Sequence, residues 1–147
     1  MLLDKPAIAR LIPHVAEMVL LDAVLACDAT SIHCTASGHH DLDHPLRERG
    51  RLASWCGIEY AAQAMAVHHG LNQADAAGGT PTPGVLAMVR DVEMLAPALD
   101  AAPGVMHIHA EKILAGGNHL LYQFHLQAVG KLIVRGRATV VMQRVAA

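Results

Sequence analysis

The sequence predicts an α+β domain in which an antiparallel sheet wraps around one long central helix, and three observations carry that reading. One long segment, residues 55–69, has helical apolar spacing and is apolar nearly all round, as a helix covered on every side must be. The half of the chain that follows reads as β throughout, in four segments separated by turn signals. The chain has 147 residues, 53% of them hydrophobic, which is the size of one domain with a sizeable core, so residues 1–147 are read as a single unit.

Taken in order, Asp4 caps a short helix that carries Pro6 in its first turn and runs through residues 7–11, with Pro13 ending it. Residues 18–27 are apolar and β-like, and Asp28-Ala29-Thr30 is a turn. Residues 31–37 alternate, with Ile32, Cys34 and Ala36 on one side, so the two runs form a hairpin. Residues 38–51 are a charged loop. Ser54 is the expected N-cap of the long helix, and Gly70 its expected close. Ile58, Ala61, Ala62, Met65 and Ala66 recur at helical spacing, with Ala61, Ala62 and Ala66 expected against the sheet. Residues 71–83 are rich in Gly, Pro and Ala and read as a loop. Strands follow at 85–95, 105–114, 120–128 and 132–143, with Gly130-Lys131 as a tight turn. Helix, two strands, long helix and four strands is the order of the hotdog arrangement. Two such sheets joined edge to edge in a dimer remove an exposed edge.

Composition narrows the function. The formal net charge is −2, the pI is about 6.6, and no block of Lys or Arg stands out, which argues against a nucleic-acid partner. Cys27, Cys34 and Cys56 are odd in number and widely spaced, which fits a reduced, cytoplasmic setting. Residues 1–6 have no signal-peptide apolar region, and no apolar run is long enough to span a membrane. Aromatic residues are few (Trp55, Tyr60, Tyr122 and Phe124), so Ala, Val, Leu, Ile and Met must fill the core. The high apolar fraction points to surface covered by another subunit.

Two stretches carry chemistry. His39-His40-Asp41-Leu42-Asp43-His44-Pro45 lies in the charged loop. It is followed by a helix whose apolar face holds a single acid, Gly57-Ile58-Glu59-Tyr60-Ala61-Ala62-Gln63. A lone carboxylate among apolar side chains is costly to ionise, and a histidine titrates near neutrality, so the two make a general acid and a general base. The same loop holds zinc-ligand types in His39, His40, Asp41, Asp43 and His44. In a chain with 11 histidines and no fixed ligand spacing, the expectation is no metal. His107, His109 and Glu111 share a strand face read as solvated, and His68-His69 is read as the helix end, where imidazolium suits the dipole.

These segments resemble the 3-hydroxyacyl acyl-carrier-protein dehydratases of the hotdog fold. Leu11-Ile12-Pro13-His14 with Met18-Val19-Leu20-Leu21-Asp22-Ala23-Val24 resembles the family's opening Pro-His turn and first strand. Gly38-His39-His40-Asp41-Leu42-Asp43-His44-Pro45 resembles its active-site histidine loop, and Ile58-Glu59-Tyr60-Ala61-Ala62-Gln63 its central helix. The chain departs from that pattern through Leu46-Arg47-Glu48-Arg49-Gly50-Arg51, which lengthens the His-to-Glu stretch. Leu52-Ala53-Ser54-Trp55-Cys56-Gly57 stands where the family has a Pro-Gly helix entry. In this version it resembles a divergent branch, the dehydratases of aryl polyene and related polyketide clusters.

The resemblance implies dehydration of a 3-hydroxyacyl thioester to a trans-2-enoyl thioester. The substrate rides on the phosphopantetheine arm of acyl carrier protein, and no other cofactor is involved. It implies a dimer, either of this chain or with a related hotdog dehydratase, with sites between subunits that take histidine from one chain and the acid from the other. His39 is then the base that takes the C2 proton, with His40 as the alternative, and Glu59 protonates the leaving hydroxyl. Backbone N–H groups of Trp55, Cys56 and Gly57 would polarise the thioester carbonyl. Gln63, one turn after Glu59, either orients the carboxyl or a substrate hydroxyl, or is a buried amide bonded to a strand end. Arg47, Arg49 and Arg51 form a basic run suited to docking an acidic carrier protein and its phosphate, or a solvated loop. Two other functions fit the same fold: a hotdog thioesterase, and a catalytically weak subunit that completes a dehydratase heterodimer.

Overall fold

In the computed structural model the described residues are 1–12, 16–77 and 84–142. The expected Pro13-His14 turn, residues 78–83 of the expected loop, and the chain end from residue 143 lie outside them. A two-residue strand β1 (Leu3–Asp4) leads into helix α1 (Lys5–Ala9), where the Asp4 carboxylate accepts from the Ala7 N–H at 3.0 Å, as expected of a cap. The hairpin follows as β2 (Ala23–Cys27) and β3 (Ser31–Ala36). Its turn is closed by Asp28, whose Oδ1 accepts the N–H groups of Thr30 and Ser31 at 2.9 and 2.8 Å. Helix α2 (Gly57–Ala77) comes next, then β4 (Gly84–Met94), β5 (Met106–Gly116), β6 (His119–Ala128) and β7 (Lys131–Met142).

The strands form one antiparallel sheet in the order β1-β2-β3-β5-β6-β7-β4. Alternation along the strands gives it an inner, buried face. Ile32, Cys34 and Ala36 of β3, Ile108 of β5, Tyr122, Phe124 and Leu126 of β6, and Val134 and Ala138 of β7 all point toward α2. The sheet curls around that helix, which is the hotdog arrangement. Curling brings segments close at several glycines, among them Gly57 and Gly136. A Cβ on Gly57 would lie 2.8 Å from Val134 Cγ1, and one on Gly136 would lie 3.0 Å from both Phe124 and Val92. At the second of these β4 bulges between Arg90 and Glu93, with Asp91 at φ 55°.

Helix α2 departs from expectation at both ends. It begins after a 3₁₀ turn (Ser54–Cys56), and Ser54 does not cap it, because its hydroxyl donates to the Ala96 carbonyl. Gly70 does not end it, and the helix continues through residues 71–77, which read as loop in the sequence. His68 therefore sits inside the helix, fully buried, rather than at its C-terminus. Its Nε2–H donates to the Asp28 carbonyl at 2.9 Å, so its Nδ1 accepts the Tyr122 hydroxyl at 2.7 Å. Ala61 is buried as expected, but Ala64 takes the position expected of Ala62 and Ala66, both of which are only half-buried.

The outer face also differs from expectation. Of the strand face expected to be solvated, Glu111 is exposed, but His107 and His109 are half-buried. The registers place His33, His109, His125, Arg135 and Glu93 in one row across five strands. His33 stacks on His109 with ring centroids 4.1 Å apart, and His109 stacks on His125 at 4.6 Å. His33 Nε2 lies 2.8 Å from His107 Nδ1. Burial, followed by the charges of neighbouring imidazoles, pushes His109 down to about 4. The row ends in a two-pronged ion pair of Arg135 with Glu93 at 3.1 and 3.2 Å.

Candidate active site

The histidine loop leaves β3 in a 3₁₀ turn (Gly38–His40) that turns His39 inward and leaves His40 exposed. The Nε2 atoms of both rings reach the same acceptor, the Ala102 carbonyl, at 3.0 Å for His39 and 2.6 Å for His40. A carbonyl only accepts, so each Nε2 carries a proton. His39 is completely buried, and its Nδ1 has no hydrogen-bond partner among the described residues. Burial is the largest influence on this ring and holds it below the usual histidine range, against the opposing effect of the Ala102 bond. It is therefore neutral at pH 7, oriented by the bond at Nε2, with a buried Nδ1 lone pair that has no partner among the described residues.

Ala102 belongs to the segment between β4 and β5. Around it, Leu99 N–H donates to the Leu52 carbonyl at 2.8 Å, Leu52 N–H donates to Asp100 Oδ1 at 2.9 Å, and Ala53 bridges Ala98. Residues 96–102 thus hold both the histidine loop and the entry to α2. Much of this work is done by backbone groups, which leave no signal in residue type; Asp100, which accepts the Leu52 N–H and pairs with Arg51, and Ser54, whose hydroxyl donates to the Ala96 carbonyl, are side-chain traces of it.

The remaining candidates fall in different surroundings. Glu59 lies half-buried in the first turn of α2. Trp55 is 57% exposed, while Cys56 and Gly57 are buried. Within the 3₁₀ turn the Cys56 N–H is taken by the Ala53 carbonyl and the Gly57 N–H by Ser54 and Trp55. Gln63 is buried, with Oε1 accepting the Leu20 N–H at 2.9 Å and Nε2 donating to the Met18 carbonyl at 2.5 Å. Of its two open readings, this is the geometry of the buried amide.

The three arginines do not form one patch. Arg47 turns inward and donates to three carbonyls of its own loop: Asp41 at 2.6 Å, Gly50 at 2.9 Å and His39 at 3.2 Å. Arg51 pairs with Asp100 at 3.1 Å, and Arg49 is exposed with φ 52°. A cavity of about 260 Å³ under the loop is lined by Lys5, Gly38, Asp41, His44, Pro45 and Tyr60 among others. A larger one, about 660 Å³, lies on the outer face around Arg135 and Arg137 and includes none of the candidate residues.

Comparison with known proteins identifies the family. The family model for the ApeP dehydratase, ApeP-like, matches residues 6–147. The chain belongs to the ApeP-like dehydratase family. Among solved structures it is similar to the dehydratase heterocomplex ApeI:P from Xenorhabdus doucetiae. The identity is 26% and the TM-score 0.80, over 93% of this chain and 91% of that one. Two further likenesses speak for the fold alone. AziG of S. sahachiroi is 23% identical at TM-score 0.60, over 92% of this chain and 100% of that one. Zebra fish thioesterase superfamily member 2 is 16% identical at TM-score 0.66, over 96% and 99%. No curated protein sequence matches the chain. No helix of this ApeP-like chain is long and apolar enough to cross a membrane among the described residues.

Proposed function

We propose that this chain takes part in dehydrating 3-hydroxyacyl thioesters on acyl carrier protein to trans-2-enoyl thioesters, in biosynthesis of the aryl polyene type. The observation that carries the reading is His39, a neutral, buried imidazole hung on the Ala102 carbonyl with its Nδ1 lone pair unclaimed. In the reaction His39 Nδ1 takes the C2 proton, the C2–H electron pair forms the C2=C3 bond, and the C3–O bond breaks. Glu59 gives its proton to the departing oxygen, and water leaves. His40 is the alternative base; it shares the Ala102 anchor but is open to solvent.

The site is completed across a dimer. Strand β4 is an edge of the sheet with Val85 44% and Met88 50% exposed, and a second hotdog sheet joined there would cover it. The partner is a second copy or a related hotdog dehydratase; similarity to a heterocomplex favours the latter. Carrier-protein docking falls to Arg49 and Arg51, which remain exposed, with Arg47 shaping the loop beside them. One observation favours a second reading, a weak subunit completing a heterodimer. The Cys56 and Gly57 N–H groups at the helix entry already have partners.

The test is to incubate the protein, alone and mixed with a related hotdog subunit, with 3-hydroxyacyl carrier-protein thioesters, following mass and ultraviolet absorbance. Loss of one water supports the dehydratase. Activity only in the mixture supports the heterodimer, and loss of the acyl group would replace both with a thioesterase.

A further inference from the structure

One hydrogen bond links the loop that carries the proposed base to the helix that carries the proposed acid. His44 and Tyr60 are both buried, and His44 Nε2 lies 2.8 Å from the Tyr60 hydroxyl oxygen. The direction of that bond is fixed from the other side of the ring. The Leu46 N–H points at His44 Nδ1 at 3.0 Å, so Nδ1 is an acceptor and Nε2 holds the proton. His44 therefore donates and Tyr60 accepts. Neither nitrogen of His44 is left for chemistry, in contrast to His39.

The surroundings make this bond a register pin. Tyr60 follows Glu59 on α2, and Gln63, three residues on, clamps the backbone at Met18 and Leu20. Arg47 donates to the carbonyls of His39, Asp41 and Gly50, which ties both ends of the loop to one side chain. A shift at His44 is thereby passed to His39. Deleting the Tyr60 hydroxyl would also leave a buried imidazole N–H unpaired, which the ring can relieve only by swinging away.

We propose that Tyr60, through His44, is a positioning residue that holds the histidine loop, and with it His39, in place on α2 of the same chain. The proposal rests on the dehydratase reading for its kinetic arm only.

Two measurements test it on the whole protein, with its partner subunit where one is required. The first compares Tyr60→Phe, His44→Gln and His44→Ala in steady-state kinetics. Tyr60→Phe and His44→Ala are expected to lower kcat by about tenfold or more, the scale of a small misplacement, with KM within about twofold. His44→Gln, which keeps a donor at the Nε2 position, is expected to restore most of the rate. The second follows the imidazole resonances of His39 through a pH titration. His39 is expected to titrate closer to an ordinary histidine in Tyr60→Phe, as its ring leaves its buried seat. An unchanged kcat and an unchanged His39 titration in Tyr60→Phe would overturn the proposal. So would loss of activity in His44→Gln with Tyr60→Phe fully active, since His44 would then act on substrate itself. If the parent protein dehydrates nothing, the reaction assignment fails, while the titration still decides whether the pin holds His39.

Discussion

The arrangement at His39 makes the base assignment a question about one nitrogen. His39→Ala and Glu59→Gln should each reduce dehydration about a hundredfold to ten-thousandfold, the usual yield of a general base or acid, measured on the carrier-protein thioester. Because burial lowers the His39 pKa from 6.5, its basic form persists into mildly acidic solution. The acid limb of the kcat/KM profile should therefore fall below pH 6.5, and a limb centred above that value would count against His39. Gln63 gives a stability prediction. Gln63→Leu strands the Leu20 N–H and the Met18 carbonyl, at about 1–3 kcal/mol for each buried group left unpaired, read from urea unfolding. At this scale the sequence exposed the reactive residue types, because histidines in a charged loop and an acid in an apolar helix stand out by contrast. It was silent about Ala102 and about Arg47 turning inward, because a backbone carbonyl distant in sequence leaves no mark on residue type.

Elements were legible where a period was complete. The β2–β3 hairpin, the inner faces of β3 and β6, and the Asp4 cap follow from alternation and side-chain chemistry that act locally. Two misreadings have tertiary causes. Residues 18–22 look like strand, but Gln63 takes the Leu20 N–H and the Met18 carbonyl, so regular β2 pairing begins only at Ala23. Gly70 looks like a helix stop, yet Leu71, Gln73, Ala74, Ala76 and Ala77 after it are good helix formers and its backbone packs on Leu11. A Cβ at Gly70 would sit at ordinary contact distance, 3.7 Å from Leu11 Cδ2. Gly70→Ala should thus stabilise the protein by about 0.5–1 kcal/mol, the helix-propensity difference. Gly57→Ala is the opposing control: its Cβ would fall 2.8 Å from Val134 Cγ1, and overpacking there should cost about 1–3 kcal/mol. Thermal unfolding of the two variants should move in opposite directions.

The whole molecule carries an acid liability written across its outer face. Burial lowers the pKa of His33, His109 and His125 in the folded state, with neighbouring imidazole charge adding to the effect at His33 and His109. Below pH 6.5 the unfolded chain binds protons that the folded chain refuses, so stability is full above that pH and is lost as pH falls toward about 4. His109→Gln should flatten this loss by about one proton in the slope of unfolding free energy against pH; an unchanged slope would refute the coupling. The exposed edge of β4 has a consequence for supply in the cell. A strand of 11 residues with apolar side chains exposed and, among the described residues, one side of its backbone without a partner strand is a template for any other unpaired strand. If that edge belongs to a partner, a subunit synthesised in excess is an orphan, exposed to aggregation and proteolysis until a mate arrives. Balanced, coupled synthesis of the two chains would then be as much a condition for a working enzyme as any residue in its site.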